Sequence, residues 1–292
     1  WQKDSRIDFI PSGDFSFYDT TLDAAVLFNI IPKRYKTLGL SEQDTYFAMA
    51  RGYQGAQGDV KALAMKKWFN TNYHYMVPEI EDDTTISLVG NKPVDEYVEA
   101  KENGIETKPV IVGPFTLLKL IRFVGKKGIP DFAEQLCEAY CELTGKLEKA
   151  GAAWIQFDEP YLVHDLTKED QELFVKLYDK ILSRKKGVKI LLQTYFGDIR
   201  DIYETVVTMD FDGIGLDFIE GKETAALVEK YGFPEDKLLF AGVVNGKNIW
   251  RNHYQKTLDV IDGLKAKKIS AVISTSCSLL HVPYTLQNEG KL

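Results

Sequence analysis

The sequence contains few of the residues that usually bind transition metals or form disulfides. Its 292 residues include four histidines and three cysteines, Cys137, Cys141 and Cys277. The histidines show neither H-x-C nor H-E-x-x-H spacing, and the cysteines are odd in number with no disulfide spacing. We therefore expect no metal site in this chain and a reducing, cytoplasmic compartment. Cys137 and Cys141 lie four residues apart in a predicted helix and are interpreted as packing residues.

Long apolar runs, low-complexity linkers and nucleotide-binding loops are also missing. No run approaches the length of a membrane span and no signal peptide is visible, so we expect no membrane partner. The net charge of −7 provides no overall basic surface for nucleic acid. The absence of G-x-x-x-x-G-K-[ST] and G-x-S-x-G argues against a P-loop and a serine hydrolase. The first residue is Trp1 rather than Met, which indicates a fragment or a processed or shortened chain.

Short apolar strands that alternate with amphipathic helices are the main pattern that is present. Most of the strands are continuous apolar runs, as expected for parallel strands that are buried on both faces. The predicted fold class is α/β, a (βα)8 TIM-type barrel that forms one domain over residues 1–292. A barrel needs eight strands, so we expect the first strand to precede Trp1. The seven strands begin at Ile7, Pro109, Trp154, Val188, Gly213, Leu238 and Ser270.

Two segments near the first third of the chain are predicted to depart from this alternation. The run from about Asp59 to Trp68 is predicted as a helix, with Lys66 and Lys67 near its C-terminus. The segment Tyr73–Gly90 contains two extended runs around an acidic turn, and it is predicted to be an inserted β-hairpin.

Polar side chains follow several predicted strands, where functional groups of a parallel barrel are located. Asp158 and Glu159 are adjacent and point in opposite directions on a strand, so they are not an acid/base pair. Each is interpreted either as a carboxylate that binds an amine or water, or as a structural carboxylate. Cys277 is the one strand-end thiol, and on ligand count alone a zinc site is not expected. The other strand-end candidates are Asp14, Ser16, Asp19, Asp217, Glu220, Asn245, Lys247, Ser274, Thr275, Ser276 and His281.

The stretch KKWFNTNYHYMVPE, residues 66–79, combines two lysines with aromatic rings and asparagine amides. This composition suits an elongated anionic ligand with a flat ring system. The alternative is that the lysines are solvated and that the aromatic rings only pack.

The same stretch resembles the K-W-F-x-[TS]-N-Y-H-Y-x-x-P element of cobalamin-independent methionine synthase. Further segments are similar to the amino-terminal half of that family, in the same order: IDFIPSGDFSFYDTTLDAAVLFNIIPKRY, KPVIVGPFTLLKL, WIQFDEPYL, LLQTYFGDI and SCSLLHVP. The resemblance covers essentially the whole chain. It implies an enzyme of two facing (βα)8 barrels, of which this chain is the amino-terminal one.

The resemblance also implies an activity. The family transfers a methyl group from 5-methyltetrahydropteroyltriglutamate to homocysteine in methionine biosynthesis, without cobalamin. Its zinc lies in the carboxy-terminal barrel, the partner of this domain, so this chain is expected to bind no zinc and to be inactive alone. Where the zinc-binding barrel has a His-x-Cys pair, this chain has Thr194 and Phe196.

Two residues are assigned to substrate through the resemblance, and no residue is assigned to catalysis. Lys67 matches the lysine that binds the folate polyglutamate tail, and Asn72 is its candidate neighbour. A second tail-binding element, Arg-Glu-Leu-Lys, would precede Trp1. Two alternatives are a stand-alone barrel methyltransferase of the same superfamily and a non-catalytic folate-binding scaffold. A complete zinc ligand set would favour the former.

Overall fold

The strands of the computed structural model, which describes residues 1–290, are mostly short. Six of them have five or more residues, which is the usual length of a strand in a globular protein. The strands are β1 (Pro11–Ser12), β2 (Tyr53–Gly55), β3 (Gly58–Val60), β4 (Met65–Lys67), β5 (His74–Met76), β6 (Glu79–Glu81), β7 (Lys108–Val112), β8 (Arg122–Val124), β9 (Trp154–Asp158), β10 (Lys189–Gln193), β11 (Gly213–Asp217), β12 (Leu238–Val244) and β13 (Ala271–Thr275).

Helices occupy most of the intervals between the longer strands. They are α1 (Thr20–Leu27), α2 (Lys33–Lys36), α3 (Glu42–Arg51), α4 (Lys92–Glu102), α5 (Pro114–Leu120), α6 (Ile129–Ala150), α7 (Lys168–Arg184), α8 (Tyr203–Thr208), α9 (Thr224–Tyr231) and α10 (Tyr254–Ala266). Short 3₁₀ helices span Pro160–Val163 and Leu279–His281. Within residues 1–290, none of the helices combines the length and apolarity that a bilayer crossing requires.

Seven of the strands form one sheet in the order β1-β7-β9-β10-β11-β12-β13. Strands β1 and β7, β7 and β9, β10 and β11, β11 and β12, and β12 and β13 pair in parallel, for example from Gly213 opposite Leu238 to Asp217 opposite Gly242. All five residues of β11 are buried, as expected for a strand covered on both faces. The α/β class and the seven strands predicted from the apolar runs are confirmed.

The described residues group into two compact units. Unit 1 contains Trp1–Lys67, His74–Asp158 and Glu172–Lys189, and unit 2 contains Trp68–Tyr73, Glu159–Gln171 and the chain from Ile190 onward.

Helix α6 is central to the core of unit 1. Pro130 lies in its first turn, and Gly151 ends it in the left-handed conformation, with φ of +89°. Its Tyr140 is fully buried, stacks on Phe28 at 4.5 Å between ring centroids, and donates a hydrogen bond to the Val112 carbonyl. Because the hydroxyl has a partner, this large ring is buried without the cost of an unpaired polar atom.

The core of unit 2 lies along β11 and β12, where Ile214, Leu239 and Ala241 are fully buried. Lys237 is also buried there, and its ammonium donates to the carbonyls of Met209 and Phe211 at 2.8 and 3.0 Å. These two bonds compensate for the loss of water around the charge.

The helix predicted from about Asp59 to Trp68 is wrong. Met65–Lys67 form strand β4, which pairs antiparallel with β5 so that Lys66 lies opposite Tyr75. Asp59 belongs to a second hairpin, β2–β3. Pairing with residues further along the chain overrides the helix preference of alanine, leucine and lysine in this run.

The inserted hairpin predicted within Tyr73–Gly90 is not confirmed. Strand β5 pairs with the preceding β4, whereas β6 pairs in parallel with β8, with Glu79 opposite Arg122. No strand is described between residues 84 and 90.

Candidate functional site

Asp217, at the carboxyl end of β11, organises a loop of unit 2. Its side chain is 1% exposed. One oxygen accepts from the backbone N–H groups of Ile219 and Glu220 at 2.8 and 2.9 Å, and the other from the N–H of Phe196 at 3.0 Å. Burial raises the pKa of this carboxyl, although the three N–H donors oppose the rise. Asp217 therefore fixes the backbone that carries Glu220.

Glu220 meets a lysine and an asparagine from other loops of unit 2. The ammonium of Lys247 donates to Glu220 at 2.7 Å and to the side-chain oxygen of Asn70 at 2.9 Å. The Asn70 amide donates in turn to the second Glu220 oxygen at 3.0 Å. We call these three side chains, Asn70, Glu220 and Lys247, the turn anchor.

One member of the turn anchor, Lys247, lies beside a cluster of aromatic rings. The Lys247 ammonium lies 5.2 Å from the ring centroid of Phe196. Phe196 in turn lies 5.7 Å from Phe69 and 5.4 Å from His281. Burial and the nearby Lys247 charge lower the pKa of His281, so the neutral imidazole is favoured. The arrangement suits a cation held against a ring face.

Asn70 belongs to the turn Trp68–Tyr73. Hydrogen bonds between residues of this turn close it. The N–H of Trp68 donates to the Tyr73 carbonyl at 2.7 Å, and the Thr71 hydroxyl donates to the Trp68 carbonyl at 2.6 Å. The Tyr73 N–H donates to the Thr71 hydroxyl at 3.1 Å. Asn72, assigned to substrate from the sequence, is an exposed residue of this turn.

Lys67, the other residue assigned to substrate, belongs to unit 1. It is the last residue of β4, it is exposed, and it lies opposite His74 in the ladder. Lys66 is also exposed, but neighbours on a strand point to opposite faces. The hairpin therefore presents the two ammonium groups on different sides.

A half-buried lysine in unit 1, Lys108, belongs to a second group of hydrogen-bonded polar side chains. Lys108 donates to the side-chain oxygen of Gln156, and the Gln156 amide donates to Asp158 at 2.7 Å. Burial lowers the pKa of Lys108 to about 8, although the charges of Asp158 and Asp14 oppose the shift. This arrangement supports a structural interpretation of Asp158, which was left open from the sequence. Glu159 is fully buried in unit 2, where its N–H donates to the Gln193 carbonyl.

The residues around Cys277 do not fit a zinc ion. Burial raises the pKa of the Cys277 thiol to about 12, so the metal-binding thiolate is disfavoured. In the part of the chain that the structure describes, no three His, Cys, Asp or Glu residues are arranged to hold a metal. The surroundings of Cys277 are closely packed instead. A Cβ added at Gly246 would lie only 2.6 Å from the Cys277 carbonyl oxygen.

The sequence located some of these residues and missed others. Asp217, Glu220 and Lys247 were candidates because they follow strands, and the structure brings them together. The roles of Asn70 and Phe196 were missed. The only available signal for Asn70 was its place in the asparagine-containing run that also holds Asn72.

The chain is similar to known proteins in family, sequence and fold. The family described as "Cobalamin-independent synthase, N-terminal domain" matches residues 1–269. A curated protein of Campylobacter jejuni subsp. doylei is 57% identical over 290 residues, which are 99% of this chain and 38% of that protein. One from Streptococcus suis is 58% identical over 287 residues, which are 98% of this chain and 38% of that protein. Both relatives are named 5-methyltetrahydropteroyltriglutamate–homocysteine methyltransferase.

A solved structure shares the fold. It is a B12-independent methionine synthase from Shewanella sp. W3-18-1, with a TM-score of 0.70 and 15% sequence identity. The match covers 97% of this chain and 79% of that one. The chain spans less than two fifths of the length of the two curated relatives.

Proposed function

Because the chain belongs to the family of cobalamin-independent synthase N-terminal domains, we propose that it is part of a 5-methyltetrahydropteroyltriglutamate–homocysteine methyltransferase. The observation that carries this proposal is the 57–58% identity to relatives of that name over nearly the whole chain. The enzyme transfers the methyl group to homocysteine without cobalamin, in methionine biosynthesis in the cytoplasm.

The proposed domain is a single (βα)8 barrel over residues 1–292, to which the seven parallel strands belong. It works with a carboxy-terminal barrel of the same protein, which holds the zinc. The raised pKa of the Cys277 thiol, about 12, supports this division, because zinc binds the thiolate.

The proposed role of this domain is to bind the polyglutamate tail of the folate through Lys67 and Asn72. Each added glutamate brings a carboxylate, and an exposed ammonium is a suitable partner for it. The exposure of Lys67 at the end of β4 supports this role, because an exposed side chain is accessible to a ligand. A local cation also concentrates anions on a protein whose net charge is −7.

The test is Lys67→Gln in the full-length protein, with substrates that carry one or three glutamates. We expect KM for the triglutamate to rise about tenfold, which equals about 1.4 kcal/mol, the size of one charge-assisted hydrogen bond. We expect kcat to stay within about twofold, because the lost contact is remote from the transferred methyl group. The monoglutamate should be affected less.

Lys66→Gln is the matched control, because it removes the same charge from the opposite face of the same strand. We expect Lys66→Gln to change KM for the monoglutamate and KM for the triglutamate by no more than about twofold, which is the effect of a weak surface charge. Equal effects of the two substitutions, or the same rise in KM for both substrates, would contradict the assignment of Lys67 to the tail.

A further inference from the structure

The turn Trp68–Tyr73 is held by side chains that lie far from it in the sequence. Asn70 is 150 residues from Glu220 and 177 residues from Lys247, yet it is hydrogen-bonded to both. In the turn anchor, each of the three side chains is hydrogen-bonded to the other two. All three belong to unit 2, as does the whole turn.

The turn anchor fixes the orientation of the Asn70 amide. Its oxygen faces an ammonium, which only donates hydrogen bonds, and its nitrogen faces a carboxylate, which only accepts them. Rotating the amide by half a turn would oppose donor to donor and acceptor to acceptor. One orientation of the side chain is therefore strongly favoured.

The two charged members are themselves fixed by the loops that carry them. Asp217 binds the N–H of Glu220, and the side-chain oxygen of Asn245 accepts from the N–H of Lys247 at 2.8 Å. The side chains of Lys247 and Glu220 are only 20% and 27% exposed. A pair that is mostly shielded from water is screened less by salt than an exposed one.

We propose that Asn70, Glu220 and Lys247 are positioning residues, which hold the turn Trp68–Tyr73 in the conformation that presents Asn72 to the anionic tail of the substrate. This inference rests on the proposed function, because it takes Asn72 as a contact of the tail. Lys247 is not assigned to the tail itself, since its ammonium already donates to both other members. Its role is to fix the turn before the substrate binds, which lowers the ordering cost of binding.

The experiment uses the full-length protein with Asn70→Ala, Lys247→Met, the two combined, and the conservative Lys247→Arg. Asn252→Ala is the control, because it removes another asparagine of unit 2, one that bonds to Thr257. Steady-state kinetics are measured with the mono- and triglutamate substrates, and Tm is measured for every variant.

We expect each single loss to raise KM for the triglutamate about fivefold to tenfold, the range of one or two ordinary hydrogen bonds, with kcat within about twofold. The double variant should be close to the worse single variant, because both changes release the same turn. Lys247→Arg should recover most of the affinity, because it keeps the charge and the donors. Asn252→Ala should match the unsubstituted protein.

Unchanged KM in Asn70→Ala, or equal losses of kcat for both substrates, overturns the inference. So does a double variant whose effect is the product of the two single effects. If Lys247→Met lowers Tm sharply, the KM of Asn70→Ala for the triglutamate decides whether the positioning role holds. Asn70 is exposed, so its truncation removes no core packing. If Lys67→Gln raises KM for the triglutamate and Asn70→Ala does not, the proposed function stands and the positioning role fails. If Lys67→Gln has no effect, the assignment of Lys67 to the folate tail fails.

Discussion

At the scale of single residues, Asp19 is a carboxyl group of unit 1 whose pKa is raised. It is fully buried at the N-terminus of α1, where it accepts from the N–H groups of Thr21, Leu22 and Met76 at 2.8 to 3.0 Å. Burial raises its pKa from 3.8 to about 6, and the charge of Asp23 adds to the rise. The three donors oppose the shift without cancelling it.

This raised pKa predicts a pH-dependent stability. The folded state binds the proton more tightly than the unfolded state, so the contribution of Asp19 is fully present below about pH 4. It is lost as the pH rises through about 6. The loss of folding free energy is on the order of 3 kcal/mol, since a pKa difference of one between the folded and unfolded states corresponds to about 1.4 kcal/mol. Asp19→Asn should remove this dependence, and urea unfolding between pH 4 and 7 measures it.

Asp44→Asn is the matched control, because Asp44 is an exposed carboxylate in the first turn of α3. The stability difference between the unsubstituted protein and Asp19→Asn should shift across this pH range, whereas the difference for Asp44→Asn should stay nearly constant. Parallel pH profiles for all three proteins would show that Asp19 keeps its ordinary pKa.

At the scale of secondary structure, Glu148 connects helix α6 to the start of strand β10. One of its oxygens accepts from the N–H groups of Lys186, Gly187 and Val188, with distances of 2.9 Å to Lys186 and 3.1 Å to Val188. Burial opposes the ionised form, but these three donors prevail and lower the pKa of Glu148. The side chain thus holds the connection by charge-assisted hydrogen bonds.

Removing that carboxylate should destabilise unit 1. We expect Glu148→Ala to lower the free energy of unfolding by about 1–2 kcal/mol, the cost of leaving several N–H groups with water as their only partner. Glu142→Ala on the same helix is the control, since Glu142 makes only an exposed ion pair with Lys146. Its loss should cost less than about 0.5 kcal/mol. Equal losses for the two variants, measured by urea unfolding, would refute a special role for Glu148.

Elements with local signals could be predicted from the sequence, and elements that depend on distant partners could not. Helix α6, which carries Cys137 and Cys141, can be predicted because Pro130 and Gly151 mark its ends and its apolar residues recur on one side. Strand β4 was missed, because its conformation comes from pairing with β5 rather than from its own residues. The short β6 likewise depends on β8, more than 40 residues later in the sequence.

The same distinction applies to the candidate site. Asp217, Glu220 and Lys247 could be predicted because strand ends in a parallel sheet carry functional groups. Asn70 could not be grouped with them, since a single sequence gives no sign of a partner 150 residues away. Lys67 and Asn72 came from the family resemblance, and their assignment to the tail stays a prediction.

At the scale of the whole molecule, zinc binding tests the proposed division of the full-length protein into two barrels. The proposed division assigns the metal to the carboxy-terminal barrel and the folate tail to this chain. A zinc site needs three or four ligands within about 2.3 Å of one point, with any thiol ionised. Near Cys277 the pKa of the thiol is raised to about 12, and Asp217 is already bonded to three N–H groups.

We therefore expect the 33.1 kDa chain, purified and dialysed against zinc-containing buffer, to retain much less than one zinc per molecule. Intact mass and elemental analysis of the same sample measure this. The full-length protein, treated alike, should retain about one zinc per chain, and Cys277→Ser in it should leave that content unchanged, because Cys277 is not a ligand. One zinc on the 33.1 kDa chain that is lost in Cys277→Ser would instead place a metal centre in this domain. That result would favour a stand-alone methyltransferase over the two-barrel enzyme.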